Sequence, residues 1–296
     1  MMTRPRLAAL TFAALVGFAC NSLLCRAALR SGAIDPVSFT AVRLFSGAVV
    51  LGLLARRSPW HERDPLSALA LFAYALPFSL AYVRLDAGMG ALLLFGSVQT
   101  SMLGWSWFKG DRLPAQVWLG TGLAFTGLVA LVAPGLTAPP PLDAALMLGA
   151  GLAWGAYTLR GRGTSTPVAT NASNFALACA PALVALAIAS SFSGVQVSGT
   201  GLLLALVSGA VASALGYSLW YVALPHLARA EAAVVQLLVP PLAAIGGVAV
   251  LSETVSLRIA AWGTLILGGV ALATLRRASP AAEVAVAAAR KAGWKN

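Results

Sequence analysis

The stretch VVQLLVPPLAAIGGVAV at residues 234–250 contains no charged side chain, and neither does ALLLFGSV at residues 91–98. Neither stretch alternates polar and apolar residues, as a strand of a membrane β-barrel would. An apolar run of roughly 20 residues is long enough for a helix to cross the hydrocarbon core of a bilayer. Both stretches therefore predict helices that cross a membrane.

The rest of the chain has the same composition. Of its 296 residues, 59% are hydrophobic and only 10% are charged, whereas about a quarter of the residues of a soluble domain are charged. Charged, proline and glycine clusters divide the chain into ten apolar runs, leaving too little sequence for a soluble domain. The runs lie at residues 7–28, 35–55, 66–83, 87–108, 114–133, 142–160, 168–190, 200–223, 230–250 and 257–275. The predicted fold is an all-α integral membrane protein with ten transmembrane helices.

The basic residues predict how these helices are oriented. The chain has 20 Lys and Arg against 9 Asp and Glu, a net charge of +11. If the amino terminus is cytoplasmic, 15 of the 20 cations fall in cytoplasmic segments, as the positive-inside rule requires. The few that face outward are Arg26, Arg30, Arg84 and Arg258. Both termini are therefore expected in the cytoplasm, and the positive charge does not indicate nucleic-acid binding.

The second half of the chain weakly repeats the first. Residues 17–26 resemble residues 151–160, and the Pro-Val pair that starts at Pro36 recurs at Pro167. Because each repeat has five runs, an odd number, the second copy would enter the membrane from the opposite side. Inverted repeats with a shared site between them are typical of secondary transporters. The predicted units are a first repeat at 1–136, a second repeat at 137–277 and a cytoplasmic tail at 278–296.

Aromatic and neutral polar side chains inside the predicted helices are candidates for a central cavity. Polar groups within a bilayer need partners, so they should face the bundle interior or a wet cavity. Ordinary contacts between helices and interfacial positions are the alternatives, and packing is favoured for Tyr74 and Trp220. The predicted substrate-binding residues are Asn21, Tyr82, Gln99, Trp154, Tyr157, Tyr217, Tyr221 and Gln236. Pro240 and Pro241 are predicted to bend the ninth helix as a hinge.

One charge lies well inside a predicted helix. Arg43 follows Pro36 by about two turns, so its long side chain is expected to reach the outer surface. Asp35 is its expected partner, and this structural role is favoured over contact with a substrate.

The other acidic residues predict caps and loop contacts. Glu231 is expected to cap the ninth helix, Asp111 and Glu253 are expected to be loop or cap residues, and Arg84 is expected to pair with Asp86. The three cysteines and two histidines lack the spacing of a disulfide framework or a metal site. No catalytic residue, metal or cofactor is predicted.

These features together resemble a known family. The ten runs, the duplication, Asp35-Pro36 followed by Arg43, and Pro240-Pro241 before Glu253 are similar to the drug/metabolite transporter superfamily. Within it the chain resembles the EamA-type exporters and, more loosely, the YddG-like aromatic amino acid exporters of bacteria. The second half has Asn174 where the first has Arg43, so the two halves are not interchangeable.

The resemblance implies a function. It implies a secondary transporter in the bacterial inner membrane that exports small amphipathic or zwitterionic metabolites by alternating access. Amino acids, including aromatic ones, and their analogues are the leading substrates. The partners are then the small-molecule substrate and the lipid bilayer.

Several alternatives stay open. They are a broad drug or metabolite efflux carrier, a passive channel and an integral-membrane transferase. The transferase is disfavoured because the acids and histidines form no recognisable catalytic group. The glycine-rich stretches at 120–127 and 263–269 allow either packing within one chain or a homodimer contact.

Overall fold

The computed structural model describes residues 3–55, 64–108, 114–135, 138–161, 164–192, 194–227 and 235–274. Within these ranges the chain is helical, and its extended pairing is limited to an isolated antiparallel bridge between Ile34 and Val197. Three predictions lie outside the described residues: the tail at 278–296, the cap at Glu231 and the loop position of Asp111.

Ten helices occupy the described residues. They are α1 Arg4–Arg30, α2 Pro36–Leu54, α3 Pro65–Ala81, α4 Ala87–Phe108, α5 Ala115–Val132, α6 Pro141–Gly161, α7 Pro167–Phe192, α8 Gly199–His226, α9 Val239–Leu251 and α10 Leu257–Thr274. Their bounds agree with the predicted runs to within about three residues, except that α9 begins later.

The helices have the length and surface expected inside a membrane. Within the described residues, α1, α2, α5, α6, α7 and α8 are long and apolar enough to cross a bilayer, and α3, α9 and α10 are shorter apolar helices. Large apolar side chains such as Leu53, Phe108, Phe192 and Leu257 are exposed on the outside of the bundle. A surface of this kind indicates contact with lipid.

Helix starts follow local sequence signals. Asp35 caps α2, because its carboxylate accepts hydrogen bonds from the backbone N–H groups of Val37 and Ser38. Proline follows Asp35 and also Asp64, which caps α3. Proline suits the first position of a helix, where its missing N–H group would have no partner within the helix.

The double proline also begins a helix. Pro240 and Pro241 lie in the first turn of α9, directly after a turn at residues 237–238. The described α9 therefore starts at Val239 with the prolines in its first turn, where a missing N–H group breaks no bond within the helix. Their role as a hinge stays a prediction.

Most contacts between the two halves follow an exchange rule: they are kept when each helix is exchanged for the helix five positions away in chain order, α1 for α6, α2 for α7 and so on. Helix α1 packs on α8 and α9, and five positions later α6 packs on α3 and α4. In the same way α2 packs on α8 while α7 packs on α3, and the pairs α2–α7, α4–α9 and α5–α10 exchange with themselves. The rule is not complete, since α4 also contacts α5 and α10.

The glycine-rich stretches are used within the chain. A Cβ atom on Gly120 of α5 would overlap backbone atoms of Gly269 and Ala273 in α10. One on Gly127 would approach the side chain of Ile266 to 2.8 Å. Gly120, Gly127 and Gly269 therefore permit close contact between α5 and α10, whereas a Cβ atom on Gly122 or Gly268 would meet nothing within 4 Å.

Candidate functional site

A small cavity lies at the centre of the bundle. It is lined by residues from α1, α3 and α4 of the first half and from α6 and α8 of the second. The lining residues are Phe18, Asn21, Ser22, Tyr74, Phe78, Leu94, Phe95, Trp154 and Tyr217. Its volume is about 10 Å³, which is room for roughly one water molecule.

Arg43 lies directly behind this lining. Its side chain is buried, with 1% of the residue surface exposed. Its Nη2 atom donates hydrogen bonds to the hydroxyls of Tyr217, at 2.7 Å, and Tyr74, at 3.0 Å. Its Nε atom donates to Ser213 Oγ at 3.0 Å. The guanidinium thus joins α2 to α3 and α8 next to the cavity.

The expectation that Arg43 reaches the outer surface and pairs with Asp35 is wrong. Asp35 caps α2, and its second carboxylate oxygen accepts from the backbone N–H group of Gln196 at 3.2 Å. The hydroxyls of Tyr74 and Tyr217 and the oxygen of Ser213 instead give Nε and Nη2 of Arg43 neutral acceptors inside the bundle. Sequence position placed Arg43 in the helix but not among these neighbours.

Tyr74 is the meeting point of the polar groups around the cavity. Its hydroxyl oxygen accepts from Asn21 Nδ2 at 3.2 Å and from the Tyr217 hydroxyl at 3.2 Å, besides the bond from Arg43. The Asn21 Oδ1 atom accepts from Ser208 Oγ at 2.6 Å. Tyr74 therefore belongs to the polar network of the cavity and not only to helix packing.

A π-helical segment in α8 supplies part of this network. Residues Ser208–Leu215 form a π-helix, in which each backbone hydrogen bond joins residues five apart. Such segments are rare in proteins, and those that occur are often found at functional sites. Ser208 and Ser213 belong to the segment, and Tyr217 follows it. A Cβ atom on Gly209 would overlap the Arg43 carbonyl oxygen, so this glycine lets α8 approach α2 closely. Tyr217 was among the predicted substrate-binding residues, whereas Ser208 was not.

Aromatic rings form the apolar wall of the cavity. The Trp154 ring centroid lies 4.7 Å from that of Tyr217 and 5.0 Å from that of Tyr74. Phe18 approaches Trp154 edge-on at 5.8 Å. On the other side, the Arg43 guanidinium carbon lies 5.1 Å from the ring centroids of both Tyr74 and Phe78. These distances are typical of aromatic pairs and cation–π contacts.

Three of the eight predicted substrate-binding residues line the cavity: Asn21, Trp154 and Tyr217. The other five are buried without lining it. Tyr157 and Tyr221 lie further along α6 and α8. There the Tyr157 hydroxyl donates to Asn171 Oδ1 at 2.6 Å, and Tyr221 donates to the Tyr157 carbonyl at 3.4 Å.

The remaining predicted residues lie in three different places. Tyr82 follows α3 directly, and its hydroxyl donates to the Ala87 carbonyl at 3.3 Å. Gln99 lies in α4, and Gln236 lies in the short helical turn before α9. Sequence reasoning did not place Phe18, Arg43 and Ser208 at or next to the central cavity. For Arg43, the available signal was a charge within an apolar run.

One end of the bundle is closed by a buried group of charges, which we call the Arg26 end. Arg26, near the end of α1, forms ion pairs with Glu253, at 2.9 Å, and Asp86, at 3.1 Å. The other Glu253 oxygen accepts from the backbone N–H group of Ala87 at 2.8 Å, at the start of α4. Glu253 is thus a cap, as expected, but for a helix distant in sequence.

Arg84 lies at the same end with a different partner. Its Nε atom is 3.0 Å from Asp143 Oδ2, in the first turn of α6. The predicted pair of Arg84 with Asp86 is therefore wrong, because Asp86 pairs with Arg26. The Arg26–Glu253 pair and the Arg84–Asp143 pair each join the first half of the chain to the second.

The opposite end, which we call the Asp64 end, is closed by an ion pair that also joins the two halves. Arg160 Nη2, at the end of α6, lies 2.8 and 2.9 Å from the two carboxylate oxygens of Asp64. Arg160 Nε donates to Ser67 Oγ at 3.1 Å. Partial burial acts to raise the pKa of Asp64, but the hydrogen bonds from Arg160 and Ser67 outweigh it and lower this pKa to about 2.

Comparisons with known proteins agree with this architecture. Residues 143–275 match the EamA-like transporter family. The uncharacterized protein PA1977 of Pseudomonas aeruginosa is 49% identical over 282 residues, which cover 92% of this chain and 96% of that protein. A solved crystal structure matches with a TM-score of 0.64 at 20% identity, covering 92% of this chain and 97% of that chain; at this identity the likeness concerns the fold. The family is one of multi-pass membrane transporters and not of enzymes, and this chain belongs to it.

Proposed function

We propose that this protein is a secondary transporter that exports small amphipathic or zwitterionic metabolites, foremost amino acids and their analogues, across the bacterial inner membrane. The observation that carries the proposal is the central cavity, whose lining comes from both halves of the chain. Aromatic rings and neutral polar groups share that lining, which suits a solute with one apolar and one polar part.

The proposal includes ten spans arranged as two inverted repeats, residues 1–136 and 137–277. The exchange rule of the helix contacts supports this arrangement. So does the pairing of Asp143 with Arg84, because it puts the start of α6 at the Arg26 end, where α1 finishes. The family match at residues 143–275 covers nearly the whole second repeat.

The two closed ends support alternating access. Ion pairs between the halves close both the Arg26 end and the Asp64 end, and the cavity between them holds roughly one water. A solute can therefore enter only when one end separates. Rocking of one repeat against the other, with the site fixed between them, is how transporters with inverted repeats achieve this.

A counterflow panel in proteoliposomes tests the transport proposal. The panel includes amino acids, drugs and sugars, and we expect saturable flux with counterflow for small amphipathic or zwitterionic compounds. Trp154→Ala should reduce that flux at least tenfold, because Trp154 forms much of the aromatic wall. Trp107→Ala is the matched control, since Trp107 is exposed on the outside of α4. Flux that rises linearly with concentration and shows no counterflow would identify a channel instead.

Reporter tags test the predicted topology separately. A tag at the amino terminus should lie in the cytoplasm, and a tag at the junction near Pro139 should lie on the opposite side of the membrane. Tags on the same side would exclude inverted repeats and with them the proposed rocking motion.

A further inference from the structure

The buried cations of this protein are not compensated in the same way. Arg26 and Arg43 are both buried within the bundle. Arg26 has two carboxylate partners, Glu253 and Asp86. Among the described residues, Arg43 has none, and its hydrogen-bond partners are neutral hydroxyl groups. A charge inside a membrane is costly and marks a functional position by default.

The described acidic residues are all committed elsewhere. Asp35 caps α2, Asp64 pairs with Arg160, Asp86 and Glu253 pair with Arg26, and Asp143 pairs with Arg84. In addition, the Nη1 atom of Arg43 has no hydrogen-bond acceptor among the described residues. The guanidinium therefore retains both an unneutralised charge and an unused donor next to the cavity.

The groups between Arg43 and the cavity are hydrogen-bond donors. Arg43 Nη2, Asn21 Nδ2 and the Tyr217 hydroxyl all lie within 3.2 Å of the Tyr74 oxygen, which can accept from two of them at a time. The Tyr74 proton is then free to donate, whereas the Tyr217 proton is used in its bond to Tyr74. Arg43 donates to the Tyr217 hydroxyl as well, at 2.7 Å. A hydroxyl that accepts from a cation is polarised and becomes a stronger donor. This part of the lining thus offers positive potential and the free O–H group of Tyr74, but no acidic acceptor from the described residues.

We propose that the cavity recognises the carboxylate of its substrate at this point, through the Tyr74 hydroxyl, with Arg43 supplying the positive charge. The apolar part of the same molecule would pack against Phe18, Phe78 and Trp154. This inference rests on the proposed transport function and narrows its substrate class to small carboxylic acids, either zwitterionic or monoanionic. Neutral amides and simple amines of the same shape lack the group that neutralises Arg43.

The alternative is that Arg43 only locks α2, α3 and α8 together. A lock of this kind affects folding and does not distinguish an acid from its amide. Discrimination between those two compounds therefore separates recognition from packing, and it can be measured on the unaltered protein.

The decisive experiment compares acid and amide pairs in proteoliposomes made with the full chain. The probes are phenylalanine, leucine and methionine, each with its amide, together with phenethylamine. We expect at least one acid to support counterflow and to be favoured at least tenfold over its amide, a difference equivalent to about 1.4 kcal/mol. Counterflow that treats each acid and its amide alike overturns this inference and leaves the transport proposal standing. Absence of counterflow for every compound, including the drugs and sugars of the wider panel, overturns both.

Substitutions of Arg43 provide the second measurement. Arg43→Gln should lower the acid-to-amide ratio at least tenfold by weakening acid transport, and Arg43→Lys, which keeps the charge, should retain part of the preference. Arg258→Gln is the matched control, because Arg258 donates to the Ala130 carbonyl at the end of α5, away from the cavity. Melting temperatures in detergent show whether each variant folds. If Arg43→Gln folds and keeps the full acid preference, Arg43 does not recognise the carboxylate; if it does not fold, the ratio in the unaltered protein decides.

Discussion

The two ends of the bundle are both closed by ion pairs between the halves, but these pairs differ in burial. At the Arg26 end, the side chains of Arg26 and Glu253 are 8% and 5% exposed. At the Asp64 end, the side chains of Arg160 and Asp64 are 41% and 32% exposed. The Arg26 end is also held by the backbone bridge between Ile34 and Val197. One end is thus closed by a buried pair, to which the more exposed Asp86 and Arg84 add further contacts, and the other by an accessible pair alone.

Burial makes the two closures energetically different. Water can replace the partners of an exposed pair, so such a pair contributes about 0–1 kcal/mol. Removing one partner of a buried pair leaves a charge that water cannot reach, which costs about 3–5 kcal/mol. We therefore expect the Asp64 end to separate more easily than the Arg26 end, and the following predictions test that difference.

The largest effect is expected at the Arg26 end. Glu253→Gln removes a charge from the buried network while keeping an oxygen that can accept from the Ala87 N–H group. It should lower the free energy of unfolding by about 3 kcal/mol, measured by denaturation in mixed micelles. Thr254→Val is the control, since Thr254 is the exposed neighbour in the same loop. A loss below about 1 kcal/mol would mean that the network behaves like a surface pair.

A smaller effect on stability, with a larger effect on access, is expected at the Asp64 end. Asp64→Asn should cost only about 0.5–1 kcal/mol, yet it should expose buried positions near the end of α6. The probe is Thr158→Cys, because Thr158 is buried in α6 close to Arg160. In a background without Cys20, Cys25 and Cys179, we expect a polar thiol reagent to label the new cysteine severalfold faster when Asp64 is replaced.

The matched variant for this labelling experiment is Glu253→Gln. It should change the labelling rate at Thr158→Cys less than Asp64→Asn does, because it acts at the opposite end. If the two substitutions accelerate labelling equally, the two ends do not open independently.

The smallest effect is the response of the Asp64 end to pH. The pKa of Asp64 is lowered to about 2 in the folded protein, against an ordinary value of about 3.9. A carboxylate with a lowered folded pKa stabilises the fold above its unfolded pKa, and this contribution is lost as the pH falls towards the folded value. Labelling at Thr158→Cys should therefore be constant from about pH 8 to pH 5, after correction for thiolate reactivity, and should accelerate only below about pH 4. Acceleration near pH 6 would point to another titrating group.

The amino-acid sequence was sufficient to locate the helices because length and apolar composition are local properties. The predicted runs agree with the helix bounds, and the proline and aspartate signals explain where α2 and α3 begin. The partners of the charged residues were predicted less well. Arg84 was assigned to its near neighbour Asp86, whereas its partner is Asp143 in another helix. Sequence proximity is a poor guide where a bundle joins distant segments.

The features of the cavity were also predictable only in part from the sequence. The residue types that line it, aromatic and neutral polar, were apparent from the helices themselves, and three of the predicted residues, Asn21, Trp154 and Tyr217, line it. Tyr82, Tyr157 and Tyr221 have the same chemistry and are equally buried, but they lie away from the cavity. Helical spacing shows which residues share a face of a helix. It does not show which of those residues lie at the level of the cavity along the helix axis.

The sequence by itself determined that this chain is helical, apolar on its outside and divided into segments that suit a membrane, since these depend on composition and on the period of the helix. Only the tertiary structure decided that Arg43 lies beside the cavity with no carboxylate partner among the described residues. It alone also decided that Arg26 pairs with Glu253, 227 residues away in the sequence. The physical reason is that the cost of a buried charge depends on its neighbours in space, and those are chosen by helix packing.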